Sequence, residues 1–155
     1  MHMDPMDHPE IREWADAVQG DVDFVDFLTF HSTPTVWLAV SHVFWPRFVQ
    51  VDGCTLWSRV YEPGNFAAWS RELDGDPSRI EGTLNRLKVW QIIDWEETPD
   101  NDKALAEVAR IISLTWEAAL IRAFPENSYD VQVINTEDGP VVTFHTVRPT
   151  PESRP

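Results

Sequence analysis

Prolines at the starts of predicted helices constrain this chain more than any other sequence feature. Twelve of its 155 residues are proline. A proline disrupts a helix interior but fits the first turn, where the missing N–H has no partner to lose. Thr33-Pro34, Asp76-Pro77 and Thr98-Pro99 each place a capping side chain directly before a proline. These pairs predict helix starts at residues 34, 77 and 99.

Apolar periodicity adds further helices and their lengths. Asp7 and Glu10 form a capping pair around Pro9, and the apolar residues that follow at helical spacing run to Gly20. The helix from Pro99 is apolar around much of its circumference and extends to about Phe124, which predicts a long central helix. Shorter helices are predicted over 24–31, 34–45, 63–73 and 77–87. Residues 89–95 fit either a helix end or a short strand.

Two Asp-Gly pairs predict β-hairpins, because Asp-Gly readily supplies the positive-φ positions of a tight turn. Asp52-Gly53 lies in a hairpin over about 47–58, and Asp138-Gly139 lies in a second over about 129–147. In the second hairpin one face is apolar and the other is polar. The fold class is therefore α+β, with two antiparallel hairpins packed on five or six helices. The pattern leaves open whether the two hairpins join in one sheet.

Length and composition indicate a single globular domain over residues 7–148. Residues 1–6 and the proline-rich tail 149–155 are expected to be disordered. No apolar run approaches the ~20 residues of a membrane span, and the acidic N-terminus does not resemble a secretory signal. The lone cysteine, Cys54, cannot form an internal disulfide. We therefore expect a cytoplasmic protein.

The formal net charge of −14 is concentrated in two segments. Residues 1–30 contain eight acidic residues and one basic residue, and residues 94–107 contain six and one. Such a surface argues against nucleic-acid partners and anionic membranes. It favours association with a basic protein, although a role in solubility alone also accounts for an acidic composition.

The eight tryptophans divide into two groups by position. Four lie on apolar stripes of predicted helices and are expected in the core: Trp14, Trp37, Trp69 and Trp116. Four lie at the ends of elements and are the predicted binding residues: Trp45, Trp57, Trp90 and Trp95.

Candidate catalytic groups are few, and none lies in a recognised motif. His31 and His42 flank the break between two helices, where they approach each other if the helices form a hairpin. His145 lies on the polar face of the second hairpin, and Asp94 stands between two apolar residues, which would raise its pKa. Cys54 is more plausible as a buried strand residue than as a nucleophile. The histidine spacing matches no metal motif, and no glycine pattern indicates a phosphate or dinucleotide cofactor.

Two functional hypotheses follow. The first is a non-catalytic acidic interaction module, such as an immunity-type or inhibitor protein, that binds a basic partner. The alternative is a small-molecule-binding protein or enzyme with a Trp/Phe-lined pocket and with His31 and His42 as polar groups. Enzymatic activity stays open, with the absence of motifs favouring the first hypothesis. Neither hypothesis includes a cofactor or a metal.

Overall fold

A computed structural model describes residues 2–150 and shows an α+β fold built on a long central helix. The seven α-helices of this part of the chain are α1 (Pro9–Val18), α2 (Phe24–His31), α3 (Pro34–Phe44), α4 (Pro63–Glu72), α5 (Pro77–Leu84), α6 (Val89–Ile92) and α7 (Pro99–Ala123). Its five strands are β1 (Phe48–Val51), β2 (Cys54–Trp57), β3 (Arg86–Lys88), β4 (Tyr129–Thr136) and β5 (Gly139–Thr146). Short 3-10 helices form at Pro5–Asp7 and Ser58–Val60.

The three helix starts predicted from proline pairs are confirmed. Thr33, Asp76 and Thr98 each accept a backbone N–H from the first turn of the helix that follows. Helix α1 differs, because its capping residue is His8 rather than Asp7. Asp7 instead ends the 3-10 helix Pro5–Asp7, which begins within the segment 1–6. Met1 and residues 151–155 of the predicted tail lie outside the described residues.

The two hairpins do not join in one sheet. β1 and β2 form a two-stranded sheet, and the second sheet has the order β3-β5-β4. The sequence predicts Leu87 in a helix, but the residue lies in strand β3 and pairs with Val142. The helix stops earlier because the buried Asn85 ends α5 and bonds to β2, accepting from Trp57 N at 2.9 Å and donating to Thr55 O at 2.8 Å. Of the ambiguous segment, Val89–Ile92 is helical.

The turn of the second hairpin differs from the predicted Asp138-Gly139 loop. Thr136 pairs with Gly139, so the two loop residues are Glu137 and Asp138. Gly139 takes a φ of 131° and lies against Trp90, where a Cβ would sit 3.0 Å from the indole Cδ1. Each residue of β4 therefore pairs with a β5 residue two positions earlier than predicted. Because side chains alternate between faces with a period of two, this shift leaves the predicted apolar and polar faces unchanged.

The core is organised around Trp116 on α7, whose side chain is fully buried. Its ring centroid lies 5.1 Å from that of Trp57 and 6.0 Å from that of Phe144, so the helix packs against both sheets. Its indole Nε1 donates to the carbonyl of Val43 at 2.8 Å. This bond satisfies a free carbonyl in the last turn of α3 and fixes that helix to the core.

A buried carboxylate joins the two sheets. Glu81 on α5 is fully buried, and it accepts hydrogen bonds from Thr55 N of β2 at 2.7 Å and Thr146 N of β5 at 2.8 Å. Arg148 binds it through both terminal nitrogens, at 2.9 and 2.8 Å. Burial alone would raise the pKa of Glu81, but the bonds from Arg148 and the two backbone N–H groups lower it below its usual range.

We predict that Arg148→Met lowers the free energy of unfolding by about 3 kcal/mol at pH 7, because it leaves a buried carboxylate without its cation. The pKa of Glu81 is lowered in the folded protein. The ion pair therefore stabilises the fold above the unfolded-state pKa, and this contribution disappears as the pH falls through the lowered value. The difference between variant and wild type should accordingly shrink in acid.

Urea unfolding of both proteins between pH 3 and pH 7 measures this difference. Arg71→Met serves as the control, since Arg71 is exposed on α4. An Arg148→Met effect no larger than that of the control would contradict the prediction.

Candidate functional site

The two acidic segments of the sequence meet at one place on the surface. His8 Nδ1 accepts the N–H of Glu10 at 3.3 Å, so its Nε2 carries the proton and donates to Asn101 Oδ1 at 3.0 Å. His8 therefore caps α1 and also links this helix to the first turn of α7. The fold thus brings charges that are about 90 residues apart in sequence onto one face.

Trp95 lies at the centre of this face and lines two cavities. The first has a volume of about 450 Å³ and an apolar floor that includes Ile11, Phe27 and Val108. Three acidic residues also line it: Glu10, Asp94 and Glu96. Neither lysine nor arginine is part of this lining.

The second cavity has a volume of about 250 Å³ and lies beside the turn of the second hairpin. Four acidic residues line it together with Trp95: Glu97, Asp102, Glu137 and Asp138. It too lacks any lysine or arginine. We call the two cavities and their seven acidic residues the Trp95 surface.

The carboxylates of the Trp95 surface carry uncompensated charge. Among residues 2–150, none of the seven lies within 4.0 Å of a basic nitrogen. Two acidic residues just outside it are paired instead, Asp100 with Lys103 at 3.5 Å and Glu107 with Arg110 at 2.7 Å. Hydrogen bonds from Arg110 lower the pKa of Glu107 to about 2. The surface therefore attracts cations, over a range of about 8 Å at physiological ionic strength.

The four tryptophans predicted as binding residues occupy different environments. Trp95 is half-buried at the centre of the surface, and Trp90 packs against Gly139 at the edge of the second cavity. Trp45 is 49% exposed at the end of α3, away from both cavity linings. Trp57 is only 5% exposed and belongs to the core cluster, so the half-exposed position expected for it is not found, although the residue also lines a separate groove beside Arg59.

The core prediction also fails for one of its four tryptophans. Trp116 is fully buried, and Trp14 and Trp69 are half-buried. Trp37 is 48% exposed, because α3 contacts α7 through its other face, which includes Val43 and Phe44. Its indole donates to Ser32 Oγ at 2.9 Å, which holds the ring beside the break between α2 and α3.

The histidines do not form a common site. The His31 ring stacks on the ring of Phe27, with centroids 3.9 Å apart, and His31 Nδ1 donates to the backbone carbonyl of Phe27 at 2.7 Å. His42 lines a different groove, and His145 lies 3.8 Å from Asp130 on the polar face of the second hairpin. Within residues 2–150 no three His, Cys, Asp or Glu side chains are grouped to hold a metal ion.

Asp94 does not occupy the apolar environment that its sequence neighbours suggested. The residue is exposed at the rim of the first cavity. The interpretation of Asp94 as a candidate general acid depended on burial, whereas its side chain is exposed. The residue contributes charge to the Trp95 surface instead.

Sequence reasoning missed the contribution of the second hairpin. Glu137 and Asp138 reach the second cavity only because the turn between β4 and β5 lies beside Trp95. Their position in a turn gave no indication of this contact, which depends on how the sheet packs against α7.

The buried Cys54 is unsuited to nucleophilic chemistry. Its side chain is 1% exposed in a core cluster with Phe66 and Ile80. Burial raises the pKa of its thiol to about 11, and the nearby carboxylate of Glu81 adds to this effect. The thiol is therefore almost entirely protonated at neutral pH.

We predict that Cys54 resists iodoacetamide at pH 8 in the folded protein and reacts rapidly in urea. The pKa of about 11 leaves roughly one thiol in a thousand ionised at this pH. Mass spectrometry of the alkylated protein measures the extent of reaction. Ser41→Cys supplies the control, because residue 41 is exposed on α3 and a thiol there should react in the folded state. Equal rates at the two positions would refute the prediction.

No helix within residues 2–150 has the length and apolar character required to cross a membrane. Comparison of the chain with protein-family models, curated proteins and solved structures finds no match. Function must therefore be inferred from the chemistry of its surfaces, since a fold by itself does not determine what a protein does.

Proposed function

We propose that this chain is a non-catalytic protein-interaction module that binds a basic protein through the Trp95 surface. The observation that carries the proposal is the placement of seven unpaired carboxylates around one half-buried tryptophan, with neither lysine nor arginine in the lining of either cavity. An immunity-type or inhibitor protein is the form of this function that we favour, since such a protein acts by covering a partner's surface.

The chemistry of the two cavities suits lysine and arginine side chains. The aliphatic stem of either residue can lie on an apolar floor while its charged head reaches the carboxylates at the rim. A guanidinium can also stack on the ring of Trp95 and bind a carboxylate through two hydrogen bonds. The clustered negative charge would in addition speed the encounter with a basic partner.

A cytoplasmic location forms part of the proposal. The only cysteine is buried in the core and has no partner for a disulfide, which suits a reducing compartment.

The placement of the histidines favours this function over the small-molecule alternative in its original form. That hypothesis required His31 and His42 to supply polar groups to one pocket. His31 is bound to its own helix, whereas His42 lines a separate groove. The Trp95 surface, by contrast, takes Glu10 from the first charged segment and four of its seven acidic residues from the second.

We predict that the triple variant Glu97→Gln, Asp102→Asn, Glu137→Gln binds a basic peptide about tenfold more weakly than wild type. All three residues line the second cavity and are exposed, and each exposed ion pair contributes up to about 1 kcal/mol. The probe is a fluorescent dodecapeptide of lysine, arginine and leucine, and fluorescence anisotropy measures its dissociation constant. Wild-type binding should weaken as salt is added.

The matched control is the triple variant Glu72→Gln, Asp74→Asn, Glu117→Gln. These residues are also exposed but lie outside both cavities, and the variant has the same net charge as the first. It should bind the peptide nearly as well as wild type. Equal weakening in the two variants would mean that binding follows overall charge, and the Trp95 surface would then have no specific role.

A further inference from the structure

A groove of about 380 Å³ lies at the open end of the first hairpin. Its charged side chains are basic, unlike those of the Trp95 surface. His42 of α3, Arg47 before β1 and Arg59 of the 3-10 helix after β2 line it. We call it the Arg47–Arg59 groove. It shares no lining residue with the two cavities of the Trp95 surface.

The backbone that carries these side chains is firmly held. Ser58 N donates to Arg47 O at 2.9 Å, which extends the β1–β2 pairing one step beyond its last pair. The guanidinium carbon of Arg59 lies 5.2 Å from the centre of the buried Trp57 ring. The last turn of α3, which holds His42, is fixed by the bond from Trp116 to Val43 O.

The positive charge of the groove is uncompensated. Neither aspartate nor glutamate lines it. Within residues 2–150 neither arginine lies within 4.0 Å of a carboxylate, unlike Arg110 and Arg148. The acid nearest to Arg47 in sequence, Asp52, stands in the turn at the far end of the hairpin, about 17 Å along the strand. Glu62, three residues after Arg59, caps α4 by accepting the N–H groups of Gly64 and Asn65 at 3.0 and 2.6 Å.

The remaining walls of the groove are largely apolar. Val43, Leu87, Trp57 and Ile92 line it, and Ile92 is 47% exposed. A volume of about 380 Å³ lies within the range of small-molecule sites, which is about 300–1,000 Å³. The groove therefore combines an apolar wall with two guanidinium groups and an imidazole.

We propose that the Arg47–Arg59 groove binds a small organic acid, with its carboxylate on the two arginines and its apolar body against Ile92 and Leu87. A guanidinium binds a carboxylate through two parallel hydrogen bonds, and the imidazole of His42 supplies a further N–H donor. A single carboxylate suits the site better than a polyanion at low ionic strength, because the net charge of −14 then repels each added negative charge. This site goes beyond the proposed partner surface and does not depend on it.

Octanoate is the test ligand, and octanamide is its neutral counterpart with the same apolar chain. Isothermal titration of the 155-residue chain should show saturable octanoate binding, with octanamide at least about tenfold weaker. Arg47→Gln and Arg59→Gln should each weaken octanoate binding about tenfold. Arg71→Gln, which changes the net charge equally at an exposed position on α4, should leave it unchanged.

Three results would overturn the proposal. The first is an absence of saturable octanoate binding up to about 1 mM, the limit of weak specific affinity. The second is equal binding of octanoate and octanamide, which would make the groove merely apolar. The third is a wild-type dimer in sedimentation experiments that dissociates in Arg47→Gln, since a carboxylate of a second copy would then occupy the groove. The first two results are obtained on wild-type protein, so misfolding of a variant cannot imitate them.

Discussion

One buried carboxylate holds a central place in the fold, because Glu81 bonds directly to the backbone of both sheets. A charge removed from water is costly unless its hydrogen-bonding capacity is satisfied. Glu81 accepts bonds from the backbone of β2, from Thr146 of β5, and from both terminal nitrogens of Arg148. The first hairpin is thereby fixed to α5 and to the second sheet. These bonds also help to position both candidate surfaces. The Arg47–Arg59 groove lies at the open end of the first hairpin, and the Trp95 surface lies beside the turn of the second.

Local chemistry accounts for the elements that the sequence predicts well. A capping side chain followed by proline acts within one turn of helix, and Thr33, Asp76 and Thr98 all begin helices as expected. Asp52-Gly53 likewise forms its turn with positive φ at both residues. Long-range contacts decide the rest. Leu87 leaves its predicted helix because Asn85 bonds to β2, and Glu81 gave no sign of burial because its partner lies 67 positions away.

The Trp95 surface could be predicted only in part, because some of its residues are neighbours in sequence and others meet through long-range packing. Trp95 stands next to a run of acidic residues, so its place in an acidic surface follows from the sequence itself. Glu10 and Glu137 join it only through the packing of α1 and of the second hairpin, which no local pattern encodes. The sequence predicts a half-exposed Trp57 because the residue ends a strand. The packing of Trp116 against it buries its ring in the structure.

The two surfaces show why net charge describes neither of them. The chain carries −14 overall, yet the Arg47–Arg59 groove is lined without a single carboxylate. Screening at physiological ionic strength limits the influence of exposed charges to about 8 Å, so each surface responds mainly to its own neighbours. Long-range repulsion still acts on an approaching anion at low salt, where screening is weak. Added salt therefore weakens attraction to the Trp95 surface and relieves the general repulsion felt by an anion approaching the groove. Salt has these opposite effects because the fold places acidic residues around Trp95 and basic residues around the groove.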